Sequence, residues 1–139
     1  MQDMIFNPPT DVIAVTDIER ETKNNGYFRK EIWTGEKMQI TVMSIPVGSE
    51  IGFERHTDND QMIYLETGFA AVYAGKERDR VEFIGRVKSG YAILIPAGTW
   101  HNVINEGNIP MKVFSVYAPP HHPKGTIHKT KLDSDLADY

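Results

Sequence analysis

Between Gly48 and Asn105 the chain sets metal-capable side chains at fixed offsets among glycine, proline and asparagine breaks. One segment carries Gly48, Glu54, His56, Gln61 and Gly68, and a second carries Gly90, Pro96, Gly98, His101 and Asn105. Strand-like apolar runs lie on either side of each. This arrangement predicts a small β-barrel whose strands turn sharply and aim a few polar groups inward. It does not name a reaction.

The rest of the chain follows the same rhythm. Runs 27–34 and 38–47 flank a Thr34-Gly35-Glu36-Lys37 turn and read as a hairpin. Further runs cover 51–56, 61–66, 69–74, 80–88, 91–95, 100–105 and 111–118. The breaks between them hold Gly or Asn, which tolerate left-handed backbone, or Pro, which fixes φ. Strands at such short spacing point to an all-β sandwich or barrel of antiparallel sheets. The run Tyr91 to Ile95 is almost continuously apolar, as expected of a strand buried on both faces. Helix signals are weak. Thr16 to Lys23 can form one short turn, with Thr16 as its cap and Glu19 three residues on. After Ala118-Pro119-Pro120 the tail is polar and strand-poor, so an extended segment lying on the barrel is expected, its last few residues mobile. The reading is one domain over 1–139, with a barrel core at about 27–118 and the segments 1–26 and 119–139 packed on it.

Composition excludes several classes of function. Fifteen basic residues against nineteen acidic ones give a net charge of −4, and no basic run is present, which argues against nucleic acid as the partner. There is no cysteine, so disulfides and thiolate metal sites are ruled out and any metal takes nitrogen and oxygen ligands. No apolar run is long enough to span a membrane. Met1 to Pro9 lacks the basic and apolar parts of a secretory signal, so cytoplasmic residence is expected.

Glu54 and His56 are two apart on an expected strand, so they share one face, while Phe53 and Arg55 take the other. Gln61 heads a row continued by Ile63 and Leu65; an amide at the head of an inward row needs a partner, because an unpaired buried amide is costly. Pro96 and Gly98 make a tight corner that returns His101 toward the same cavity. Asn105 closes that strand through bonds to its own turn. Taken alone, His101 or the Glu54–His56 pair is more often a surface or hydrogen-bonded residue than a ligand. It is the joint spacing that favours a metal site.

On these residues the chain resembles the cupin superfamily, in particular small single-domain bacterial cupins. The family's first motif, G(X)5HXH(X)3–4E(X)6G, is matched in register by Gly48, Glu54, His56, Gln61 and Gly68. The second, G(X)5PXG(X)2H(X)3N, is matched at every position by Gly90, Pro96, Gly98, His101 and Asn105. The resemblance covers about residues 38–118. It implies a double-stranded β-helix of two antiparallel sheets, one divalent metal inside it, and frequent dimers. A homodimer is therefore expected, with hairpin 27–47 able to exchange if its edge is uncovered.

Two positions depart from the family pattern: Glu54 stands where a His is usual, and Gln61 where a Glu is usual. The set Glu54, His56, Gln61 and His101 keeps a single negative charge but becomes richer in oxygen. It is similar to a two-His, one-carboxylate centre with an added weak oxygen ligand, which suits Fe(II), Mn(II), Ni(II) or Co(II), with zinc in an open site also possible. The metal would act as a Lewis acid on a small sugar-like or organic-acid substrate, with isomerase or lyase chemistry ranked ahead of dioxygenase chemistry. The alternatives are a binding or sensing module without turnover, and a barrel without metal in which Glu54 pairs with an inward Arg or Lys. Glu54 and Tyr117 are the candidate catalytic groups, with packing the first expectation for Tyr117. His121 and His122 can cover the cavity mouth or bridge a dimer, and His128 and Lys129 can anchor the tail, although surface solvation is preferred for all four. Trp100 reads as a wall residue, and Met38, Met43 and Met62 as core fillers.

Overall fold

The computed structural model describes residues 6–137, so the expectations for residues 1–5 and 138–139 lie outside the described residues. The described residues form nine strands in two antiparallel sheets. The strands are β1 (Arg29–Thr34), β2 (Gln39–Ile45), β3 (Asp60–Thr67), β4 (Phe69–Gly75), β5 (Glu82–Lys88), β6 (Ala92–Ile95), β7 (Trp100–Asn105), β8 (Met111–Ala118) and β9 (Ile127–His128). The larger sheet runs β6-β3-β8-β2-β1-β9 and the smaller β5-β4-β7. Their facing rows share one core, in which Ile63 and Val113 of the larger sheet pack with Val72 and Val103 of the smaller. This is the barrel of two antiparallel sheets that the strand spacing predicts. Among the described residues no helix is long and apolar enough to cross a membrane.

Register explains where the polar groups go. Across the larger sheet Ile95 faces Gln61, Gln61 faces Tyr117, and Tyr117 faces Gln39. Two residues along, Ile63, Ser115 and Thr41 align; two further on, Leu65, Val113, Met43 and Arg29 align. Side chains alternate between faces, so all of these point into the barrel. The inner face thus carries Gln61, Tyr117, Gln39, Ser115 and Thr41 at one end, and is apolar at the other except for Arg29 on β1.

Several local expectations need correction. Residues 51–56 form no full strand, but meet β7 through an isolated bridge at Glu54–His101 and the Ile51 N to Val103 O bond, with a further bridge at Glu50–Ile104 just before them. The cause is Gly52, whose φ of 117° breaks the ladder and whose N–H turns to Asn102 Oδ1 at 3.0 Å. The first helix, α1 (Ile18–Asn24), is capped by Asp17 rather than Thr16; Asp17 Oδ1 accepts from Arg20 N at 3.1 Å. β6 is buried on one face only, with Leu94 74% exposed. Met43 is core, whereas Met38 is exposed.

The tail departs most. Beyond Ala118 it forms β9 and a short helix α2 (Lys131–Leu136), which is closed by a capping box between Thr130 and Asp133. β9 pairs with β1 at Arg29 and Lys30, so the start of the edge on which hairpin exchange would depend is covered. The tail is pinned by buried side chains. Asn59 Nδ2 donates to the Pro119 carbonyl. Gln39 Oε1 accepts from the N–H groups of His121 and His122 at 3.1 and 2.9 Å, and its Nε2 donates to the His122 carbonyl at 2.7 Å. His122 and His128 are therefore buried rather than solvated.

Candidate metal centre

Backbone pairing builds the centre. Glu54 N donates to the His101 carbonyl at 3.0 Å, and His101 N donates to the Glu54 carbonyl at 2.9 Å. Directly opposed residues in an antiparallel pair project to the same side, so Glu54 and His101 meet even without a full strand. Gly98 N donates to the His56 carbonyl at 2.8 Å, which ties the Pro96–Gly98 corner to the first segment. Behind the corner Asn105 donates to the carbonyls of Ile45 and Ile109, each at 3.0 Å, and accepts from Gly107 N at 2.9 Å, as its turn role predicts. On the opposite side of the segment Phe53 stacks on Trp100 at 5.1 Å, and the Arg55 guanidinium lies 5.1 Å from the Trp100 ring centre. The alternation read from the sequence holds, and Trp100 is an outer wall.

Glu54, His56 and His101 converge, with one ligand atom from each lying within 4.8 Å of the others. Glu54 Oε1 is 3.2 Å from His56 Nε2 and 3.3 Å from His101 Nε2. Ligand atoms about 2.1 Å from one ion sit roughly 3.0–3.4 Å apart, so these spacings match a shared cation. The ring tautomers agree. His101 Nδ1 lies 3.0 Å from the Thr99 carbonyl and must donate to it, leaving Nε2 as a lone pair facing a carboxylate oxygen. Two acceptors in contact need a proton or a metal between them. Both nitrogens of buried His56 lack hydrogen-bond geometry to any partner, even though Glu54 is near. A neutral imidazole has one lone pair, and with Nε2 3.2 Å from the carboxylate an unpartnered lone pair there fits a metal. Burial pushes the Glu54 carboxyl up, but the adjacent His101 and His56 imidazoles outweigh it and hold the group below the usual carboxylate range.

Gln61 is buried on the inner face, and its Oε1 has no partner; its Nε2 reaches only Ser115 Oγ at 3.5 Å. It stands opposite Tyr117, which packs edge-on to His56 at 5.6 Å between ring centres. Tyr117 is fully buried, and burial pushes its hydroxyl up to about 12, so it keeps its proton at neutral pH. His121 packs 4.1 Å from His56 and His122 5.2 Å from Tyr117, which puts the pair at the mouth, with His122 buried and His121 still exposed to solvent. The mouth opens into a polar cleft of about 380 Å³ between the Glu50–Glu54 segment and the tail helix. Arg29 lines this cleft and was not singled out from the sequence; only the β1–β9 pairing brings it there.

A model of the family described as the cupin domain matches residues 41–117. An uncharacterised protein of Bacillus subtilis, YrkC, is 48% identical over 124 residues, covering 89% of this chain and 67% of that protein. An uncharacterised protein of Acanthamoeba polyphaga mimivirus, L612, is 39% identical over 83% of this chain and 71% of its own length. The crystal structure of BH2720 from Bacillus halodurans superposes with a TM-score of 0.88 at 51% identity, covering 89% of this chain and 94% of that one.

Proposed function

The chain belongs to the cupin family, and from that premise we propose that His56, His101, Glu54 and Gln61 hold one divalent transition metal acting as a Lewis acid on a small oxygen-rich molecule. The observation that carries this reading is the Glu54 carboxylate set between two imidazole Nε2 atoms at 3.2 and 3.3 Å, with His101 Nδ1 committed elsewhere. The donor set favours iron, manganese, nickel or cobalt ahead of zinc. Gln61 Oε1, buried without a partner, supplies the fourth ligand, an oxygen. Tyr117 holds a proton beside His56, and His121 lies against the same ring. Isomerisation and C–C lyase chemistry need such proton-handling groups, which ranks them ahead of dioxygen insertion. The second reading, a binding module without turnover, is supported by Glu54 itself: a carboxylate engaged by two imidazoles is a poor general base. Under both readings the ligand is a small molecule, and the protein works as a homodimer.

Protein made in metal-replete medium is expected to carry close to one transition metal per chain by elemental analysis. His101→Ala should abolish that content. Glu54→Ala should weaken metal affinity more than Gln61→Ala, because a charged ligand binds more strongly than an amide. Absence of metal, together with unchanged stability of His101→Ala, would sink the reading.

A further inference from the structure

Arg29 is 3% exposed and points into the barrel from β1. A buried guanidinium normally faces a carboxylate, because an isolated charge taken out of water is strongly disfavoured. Here its partners are neutral. Nη1 donates to His128 Nδ1 at 3.1 Å and to Ser134 Oγ at 2.7 Å, and Nε has no partner. The acids lining the same cleft are engaged elsewhere. Glu54 lies between His56 and His101, Glu50 accepts from Asn102 Nδ2 at 3.1 Å, and Asp135 pairs with Lys131 at 2.9 Å. Among the described residues no carboxylate forms an ion pair with Arg29.

A ladder of rings joins Arg29 to the Glu-His-His group. His56 lies 4.1 Å from His121, His121 lies 4.7 Å from His122, and His122 lies 6.4 Å from His128, which accepts from Arg29. His122 Nδ1 is a second buried polar atom without a partner on this path. Both ends of the cleft are electropositive once a dication faces the single Glu54 carboxylate. The chemistry that satisfies Arg29 is a planar or tetrahedral oxyanion, which a guanidinium holds through charge-assisted hydrogen bonds.

We propose that Arg29 is the anion anchor of this cleft: the ligand is a small molecule carrying a carboxylate or phosphate group that docks on the guanidinium, while its other oxygens face Glu54, His56 and His101. The metal-facing half rests on the function proposed above; the anchor itself does not.

Calorimetric titration of cobalt-loaded and metal-free protein with malonate, inorganic phosphate and neutral malonamide tests it. One of the two anions should bind the cobalt-loaded protein at least about tenfold more tightly than malonamide. Tighter malonate binding assigns a carboxylate ligand, and tighter phosphate binding a phosphorylated one. Arg29→Gln should lower that affinity about tenfold or more while cobalt content stays at the parent level. Arg29→Lys should recover part of it. Ser134→Ala removes the tail's hold on the guanidinium but keeps the charge, and should change anion affinity by no more than about twofold. Equal binding of anions and malonamide, an unchanged Arg29→Gln, or an equal loss in Ser134→Ala would each overturn the proposal. Anion binding that depends on Arg29 in the metal-free protein would stand even if the metal reading failed.

Discussion

His122 shows how far a single side chain can be moved from its expected setting. Burial, then the Arg29 charge and His121, push its imidazole down to about 3, while Glu54 pulls weakly the other way. In the unfolded chain the group titrates near 6.5. Below that pH the unfolded state binds the proton and the folded state does not, so stability falls as pH drops from about 6.5 toward 3. His121 and His128 shift in the same direction, also chiefly through burial. Metal-free protein should therefore lose on the order of 2 kcal/mol between neutral pH and about pH 4.5, roughly 6 °C in thermal midpoint. His122→Gln should flatten much of that slope; a variant with the parent's full slope would show that His122 is not its source. The sequence could not show this burial. His56 and His101 were legible because their spacing is tied to glycine and proline turns, whereas His122, Arg29 and Gln39 take their roles from partners far along the chain.

Among the elements, the strands were readable and the tail was not. Period-2 runs bounded by Gly, Pro and Asn mark β1 to β8 well, because turn chemistry is local. Segment 51–56 carries the same pattern, yet Gly52 at positive φ reduces it to an isolated bridge at Glu54–His101. The polar composition of the tail points only to an extended segment on the barrel with solvated His and Lys side chains, and its order comes from buried side chains of other elements. Gln39 is the main clamp: fully buried, it bonds His121 and His122 backbone groups and also reaches Thr34 Oγ1 at 2.9 Å. Gln39→Ala leaves those groups without partners and should destabilise the protein by about 2–4 kcal/mol. Hydrogen exchange gives the discriminating readout. Protection should drop across residues 119–136 well before it drops in β3 and β8, and a uniform loss would mean the clamp serves the barrel rather than the tail.

At the scale of the whole molecule, the outer face of the larger sheet is the part left unfinished. Leu94 faces Met62, Met62 faces Val116, Val116 faces Ile40, and Ile40 faces Trp33, giving one apolar row across five strands. Helix α1 packs on β8, β3 and β2, but Leu94 remains 74% exposed, and Ile13 beside β1 and β2 remains 94% exposed. The Tyr91–Ile95 run carries the composition of a strand covered on both faces, and one chain covers only one of them. A second copy, related by a two-fold axis, is the simplest cover, since a self-complementary face closes without leaving an edge. Sedimentation should give twice the 15.8 kDa chain mass. Leu94→Arg should shift the protein to monomer, with thermal stability lowered in a concentration-independent way and metal content unchanged. A parent protein that sediments as a monomer, or a Leu94→Arg variant that stays dimeric, would mean this face is not where two copies meet.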